Sequence, residues 1–400
     1  MKAVILAAGK GERMLPLTKD KPKVMINIGN KPILAYLVDS LARVGVKHIY
    51  LVVGYKKETI MSYFGNGSEY GVSISYLYQA HQRGTAHALL QAKEIILKEK
   101  PELFLVLSGD NIVKSEALEE LLSLKEEAML ITRNSLSSKY GVVSLQDHYV
   151  KEIIERPISK EEKLLINTGV YLFKPNIFEE IELLVDKPFA LTSESRYDLT
   201  FLLSKIYGEG KKEMRAVKTS SWMDAVTPWD LLHMNSAMLG DVSSHYSGRI
   251  EQGVDIRGPV YIGANTLIRA GTYIRGPAVI GKGCDIGPNA IIFSSTAIGN
   301  NVCIGPATEV KHSIIMDDVS VGMGSRISNS VIDAGSKLGS HVVTESLRHE
   351  IGENRGCVIG SDTIILSGTV IESNVVIGNK CRVTAQRRIY KSLPDECVVM

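Results

Sequence analysis

The residues best suited to chemistry come early. Gly9-Lys10-Gly11-Glu12-Arg13 follows a short apolar run, and Pro22-Lys23 comes soon after. Glycines let backbone N–H groups approach an anion closely. Arg13 adds a planar fork suited to phosphate, and Lys23 adds a second cation from a rigid turn. The pattern is not a Walker A loop, because G-x-x-x-x-G-K-[ST] is absent. Nor is it a dinucleotide fingerprint, since Met14 fills the third glycine position. Asp110, closing FLVLSGD, is a second candidate, although a lone Asp after a strand reads equally well as a helix cap.

These residues need a frame. KAVILAA, HIYLVVG and FLVLSGD read as buried strands, and KPILAYLVDSLARVG reads as a helix with apolar positions at helical spacing. Strands alternating with helices predict a mainly parallel, Rossmann-like α/β sheet, which places ligands beyond the carboxyl ends of its strands.

The second half of the chain has another period. Isoleucine or valine stands at 256, 262, 268, 274, 280, 286, 292, 298, 304 and 310, often with glycine next. The frame slips by one residue and resumes at Ile315, Val321 and Ile327. A last stretch runs Ile359, Ile365, Ile371, Ile377 and Val383. A six-residue period fits a parallel β-helix, each repeat forming one flat side with its aliphatic residue inward. The expected organisation is therefore a catalytic domain over 1–235, a connector over 236–250, a β-helix over 251–390 and a tail over 391–400. Residues 340–357 interrupt the repeats and read as a protruding polar loop.

Taken together, the motifs of the first half resemble those of the sugar-1-phosphate nucleotidyltransferases. Leu6-Ala7-Ala8-Gly9 through Lys23 resembles their opening signature. Gln79 with Gly84-Thr85-Ala86-His87-Ala88 resembles the nucleobase segment. Ser108-Gly109-Asp110 and Trp222-Met223-Asp224 resemble the two metal positions. Gly141, Glu155-Arg156-Pro157 and Asn167-Thr168-Gly169 resemble the sugar pocket. One large branch of that family carries a C-terminal left-handed β-helix, which is the fold class expected here.

The resemblance implies a reaction and roles. A nucleoside triphosphate and a sugar 1-phosphate give a nucleotide sugar and pyrophosphate, so the enzyme must align two mutually repelling anions and neutralise developing charge. Arg13, Lys23 and Asp110 are the implied catalytic residues. Leu6, Ala8, Gly9, Gly11, Gln79, Gly84 and Thr85 are implied to bind the nucleotide, with Gly84 leaving room for the base. Gly141, Glu155, Arg156, Asn167 and Thr168 are implied to bind the sugar phosphate, Arg156 standing where lysine is common in the family. Asp110 and Asp224 are implied to hold Mg²⁺. GTAHAL resembles the uridyl branch, which favours UTP over dTTP, with glucose or N-acetylglucosamine 1-phosphate as acceptor. The alternatives are guanylyl transfer to mannose 1-phosphate, a bifunctional enzyme that also acetylates an amino-sugar phosphate, and an inactive regulatory paralogue.

The β-helix has few marks of that acetyl transfer. Met323 stands where acetylating relatives carry a histidine base, and methionine cannot take a proton. His312, which follows Lys311 on a coil, reads as an exposed polar position. An assembly role is expected, as a homotrimer or a multiple of trimers. In that case a chain ending near residue 235 should be monomeric and keep some transferase activity.

A net charge of +2, from 46 basic and 44 acidic residues among 400, argues against a nucleic-acid partner. No apolar run approaches a membrane span, so no membrane partner and a cytoplasmic location are expected. Cys284, Cys303, Cys357, Cys381 and Cys397 show no zinc-type pairing and read as buried reduced thiols.

Overall fold

A computed structural model of the chain describes residues 1–134, 140–155, 164–185, 197–208, 212–348 and 354–400. It divides into two compact units. The first comprises Met1–Lys10, Lys21–Met25 and Ile33–Asp224; the second comprises Gly11–Asp20, Ile26–Pro32 and Ala225–Met400.

In chain order the strands up to Asp224 are β1 (Lys2–Ala7), β2 (Asn27–Ile28), β3 (Lys31–Pro32), β4 (His48–Val53), β5 (Ser73–Tyr78), β6 (Phe104–Ser108) and β7 (Asn111–Val113). They continue with β8 (Ala128–Asn134), β9 (Gly141–Gln146), β10 (Tyr149–Glu155), β11 (Leu164–Phe173), β12 (Arg215–Lys218) and β13 (Trp222–Asp224). Nine of them form the sheet of the first unit, in the order β5-β4-β1-β6-β11-β8-β12-β10-β9.

Burial on both faces explains the unbroken apolar run of β1. Ala3, Ile5 and Ala7 enter one core, while Val4 and Ala8 enter the core on the opposite face. The sheet is mainly parallel in direction, as expected: β12 is parallel to β8, and of its nine strands only β10 and β11 run against the rest. Strands β5, β4, β1 and β6 are mutually parallel, but β11 runs antiparallel to both β6 and β8, and β10 runs antiparallel to β9 and β12. For β10 the reason is local. A tight turn at Asp147, whose φ is positive at 56°, joins β9 to β10, leaving no length for a crossover helix.

The second unit contains a left-handed parallel β-helix whose walls are three sheets of short parallel strands. Ile256 pairs with Ile274, Ile262 with Ile280 and Ile268 with Ile286, so each residue meets its counterpart three repeats further on. The repeated aliphatic residues from Ile262 to Val310 are fully or almost fully buried. Glycine follows them because coils stack closely: a Cβ on Gly281 would lie 2.4 Å from the carbonyl oxygen of Gly299. Corners fall on residues that tolerate the left-handed region, such as Asn265, Asn289 and Asn301. The one-residue slip is real, since Ile298 pairs with Ile315. A second slip, missed in the sequence, gives the pair Ile315 with Ile332.

Several boundaries differ from those expected. The helix Asp230–Leu239 crosses position 235, and His245–Tyr246 and Arg249–Ile250 are already β-helix strands. Residues 236–250 are thus helix end and first coil rather than a connector. Their few, short strands fall below what periodicity can detect. Val398–Val399 pairs with Arg382–Val383, so the final residues add a strand instead of trailing as a tail. Within 340–357, Val343–Thr344 continues the coil and Cys357 is buried in the core; the excursion is the antiparallel pair Leu347–Arg348 and Asn354–Arg355.

Cys284, Cys357 and Cys381 are buried free thiols, but Cys303 is exposed and Cys397 half-buried. Cys303 takes the outward slot beside inward Ile304. Among the described residues no helix is long and apolar enough to cross a membrane.

Candidate active site

Asp110 lies two residues past the end of β6, at the carboxyl end of the parallel strands. Asp224 reaches it by a ladder rather than by sequence. β13 pairs antiparallel with β7, which sets Asp224 opposite Asn111, the residue after Asp110. Lys23 then bridges the two carboxylates, its Nζ 2.5 Å from Asp110 Oδ2 and 3.5 Å from Asp224 Oδ1. All three side chains are mostly buried. Burial alone would lower the pKa of Lys23, but the charges of Asp110 and Asp224 outweigh it and raise the value. Lys23 is therefore firmly cationic.

Two residues that the motifs did not single out for a role support this ladder. Asn111 Nδ2 and Trp222 Nε1 both donate to the carbonyl oxygen of Thr168, at 2.6 and 3.0 Å. Side-chain bonds to a distant backbone carbonyl leave no periodic mark in a sequence. Among the described residues no cluster of three or more His, Cys, Asp or Glu side chains could enclose a metal. Two carboxylates converging on one cationic nitrogen do offer hard oxygen donors to a cation that completes its shell elsewhere.

Leu6 and Ala8 accept backbone bonds from Gly109 and Tyr55. No atom other than its chain neighbours lies within 4 Å of the place a Cβ on Gly9 would occupy, so the chain leaves open space there. Gly11 takes the left-handed region and begins the short 3₁₀ turn Glu12–Met14, on which Arg13 is exposed. Gln79 is 2% exposed, and its Nε2 lies 3.1 Å from Gly84 O and 2.9 Å from His87 Nδ1. Gly84 departs from its expected part. At φ 134° its absent Cβ makes room for the Tyr197 carbonyl, which a Cβ would meet at 2.4 Å. Thr85 Oγ1 likewise accepts from Leu199 N at 2.9 Å. Tyr197 and Leu199 are partners that no spacing rule could supply.

In the sugar segment, β9 and β10 pair Gly141 with Glu155, and β11 brings Ile166 opposite Val142. Gly141, Glu155 and Asn167 therefore share one part of the sheet. Asn167 is buried; its Nδ2 donates to Tyr171 Oη at 2.6 Å and its Oδ1 accepts from Gly169 N at 3.0 Å. Thr168 spends its hydroxyl on Leu130 O at 2.6 Å. Arg156 lies outside the described residues, as do Pro157 and Arg196.

Comparison with known proteins identifies the family of the chain. The nucleotidyl transferase family profile matches residues 2–240, and the GMPPB C-terminal domain profile matches residues 274–380. The chain is 38% identical over 428 residues to the bifunctional protein GlmU of Methanococcus maripaludis strain C7, covering 100% of this chain and 99% of the relative. It is 30% identical over 362 residues to the low-salt glycan biosynthesis nucleotidyltransferase Agl11 of Haloferax volcanii, covering 88% and 99%. The UTP–glucose-1-phosphate uridylyltransferase AglF of the same organism is 35% identical over 230 residues, covering 56% and 89%. A Bacillus anthracis crystal structure assigned as a glucose-1-phosphate thymidylyltransferase, in complex with sucrose, superposes with a TM-score of 0.53 at 26% identity. That match covers 62% of this chain and 98% of the other. The chain thus belongs to the nucleotidyl transferase family. Within it, the chain is a sugar-1-phosphate nucleotidyltransferase.

Proposed function

We propose that the enzyme uses UTP or dTTP and transfers the nucleotidyl group to glucose 1-phosphate or N-acetylglucosamine 1-phosphate. The observation that carries the reaction is the convergence of Lys23, Asp110 and Asp224 at the strand ends. A sugar-phosphate oxygen forms a bond to the α-phosphorus while the α–β bridging bond breaks and pyrophosphate leaves. Lys23, kept cationic by its two partners, screens the repulsion between the incoming phosphate and the triphosphate. Arg13 and the N–H groups around Gly9 and Gly11 hold the β- and γ-phosphates. Asp110 and Asp224 would hold Mg²⁺, which when bound neutralises charge on the phosphate oxygens. Gly141, Glu155, Arg156, Asn167 and Thr168 surround the sugar. With the Asn167 side chain and both the hydroxyl and the carbonyl of Thr168 bonded internally, their part is to shape the pocket.

Uridyl donors follow from the GTAHAL segment and from the similarity to AglF. The test is a panel of four NTPs against five sugar 1-phosphates, read by pyrophosphate release. UTP and dTTP should exceed ATP and CTP in kcat/KM. A guanine preference would overturn the pyrimidine assignment and favour mannose 1-phosphate.

Acetyl transfer is the competing reading of the β-helix, favoured by the GlmU relatives' name. Met323 argues against it, being 50% exposed in the expected base position. His312 is half-buried rather than exposed, against the sequence expectation, because its corner faces His233. We therefore assign the β-helix to assembly as a trimer. Supplying acetyl-CoA and glucosamine 1-phosphate in the same panel should yield no acetylated product.

A further inference from the structure

A primary amide carries two N–H donors and one carbonyl acceptor. In Gln79 both donors are committed. Nε2 lies 3.1 Å from the carbonyl oxygen of Gly84, which can only accept, and this contact settles which end of the amide is nitrogen. The same Nε2 lies 2.9 Å from His87 Nδ1. That ring nitrogen must then accept as well, so His87 is neutral with its proton on Nε2. No described donor reaches Gln79 Oε1. It is the one group that Gln79 has left to offer.

We propose that His87 is a specificity-determining positioning residue. By accepting from Gln79 Nε2 it fixes the amide so that Gln79 meets a nucleobase as a hydrogen-bond acceptor only. The proposal rests on the reading of Gln79 as the base-contacting residue. An acceptor selects bases that carry N–H at the centre of the Watson–Crick edge, namely uracil, thymine and guanine. It rejects cytosine and adenine, which present a lone pair there. Lone pair against lone pair costs far more than a missing methyl contact, because a buried polar group is left unpaired.

The surroundings of His87 suit this task. The residue sits on the helix Thr85–Leu90, and its ring meets Tyr197 edge-on at a centroid distance of 5.6 Å. Its backbone oxygen accepts from Gln91 Nε2 at 2.9 Å. Among the described residues, the titratable and charged groups facing it are Tyr197, Arg83 and His81. Burial, and then Arg83 and His81, hold its pKa below the usual value. The ring is therefore neutral around pH 7. On protonation Nδ1 would become a donor facing the amide donor. The amide would then lose one of the two acceptors that hold its Nε2, which loosens the orientation that presents Oε1 to the base.

UTP and CTP are the probes, since they share ring size and differ at this edge. In the wild-type enzyme the UTP:CTP ratio of kcat/KM should hold steady near neutral pH and fall as His87 protonates, at a pH below the ordinary histidine value. His87→Phe keeps an aromatic ring beside Tyr197 and removes the acceptor; the ratio should drop at least about tenfold. His87→Gln restores an acceptor and should recover most of it. The wild-type pH profile needs no variant and stands if the Phe variant fails to fold. A ratio unchanged both in the Phe variant and across the pH range overturns the proposal. Gln79→Leu separates the two levels. If it collapses the ratio while His87→Phe does not, only the role of His87 is wrong. If Gln79→Leu keeps the wild-type ratio, Gln79 does not read the base and the proposal falls with that reading.

Discussion

Lys23, Asp110 and Asp224 form a site because each charge is held by the others. Removing either carboxylate leaves Lys23 with one partner and removes half of the hard-oxygen donor pair. Asp110→Ala and Asp224→Ala should each lower kcat by at least about 100-fold, as expected when charge stabilisation of a transition state is lost. Circular dichroism should show the fold intact, since both side chains sit at strand ends. Near-wild-type turnover in either variant would show that the pair is not the metal position. At this scale the sequence was legible where residue types recur at short spacing, as in Gly9 to Lys23 or Ser108-Gly109-Asp110, stretches that lie within the matched family profile. It was silent about the supports. Asn111 bonding Thr168 O, and Tyr197 filling the space beside Gly84, join residues far apart in the chain. Contacts of this kind are made by tertiary packing and leave no local signature.

At the scale of elements, the six-residue period was legible because nearly every repeat turns an aliphatic residue inward and each coil repeats the demand, Thr344 being an exception. Coil corners were harder to read, since what they require is a tolerated backbone angle, not a residue class. His312 shows the consequence. It occupies a corner at φ 48° and is half-buried near His233 and beside Lys311. Burial first, then those two neighbours, hold its pKa below the ordinary 6.5. For a base with a depressed folded pKa, the unfolded chain takes up the proton first. Stability is then fully present above about pH 6.5 and declines as pH falls through the window below it. His312→Asn keeps a residue that accepts positive φ and abolishes the titration. Denaturant unfolding at pH 7.5 and pH 5.5 should show a smaller acid loss in the variant than in the wild type. Equal losses would mean that His312 is solvated and contributes nothing to acid sensitivity.

For the whole molecule, the decisive finding is that chain order and compact units do not coincide. Gly11–Asp20 and Ile26–Pro32, on either side of Lys23 in sequence, belong to the second unit. The first segment is tied to the last coils: Asn379 Nδ2 donates to Pro16 O at 3.2 Å, and Lys19 pairs with Asp395 at 2.5 Å. The second is tied to earlier coils: Asn30 Nδ2 donates to Ile298 O at 2.6 Å, and Gly29 N donates to Asn235 Oδ1, whose amide in turn reaches Ser295 O. The buried amide of Asn235 is satisfied only with both neighbours present. These ties change the expectation for a chain ending near residue 235. Every assigned site residue precedes that point, yet Ser295, Ile298, Asn379 and Asp395 do not. The segment bearing Gly11 and Arg13 would lose its partners, and a site displaced by an ångström loses much of its rate. We expect the truncated chain to be monomeric by light scattering, with kcat/KM reduced at least about tenfold. The full chain should scatter as a trimer or a multiple of trimers, since Ile291, Leu366, Tyr390 and Val398 leave apolar side chains exposed on the β-helix. The double variant Asn379→Ala, Asp395→Ala in the full chain separates the two effects. It keeps the β-helix and should keep the assembly, while losing a good part of the activity that the truncation loses. Full activity in the truncated chain would show that these segments hold their shape without the β-helix. A trimeric truncation, or a monomeric full chain, would show that assembly does not reside there.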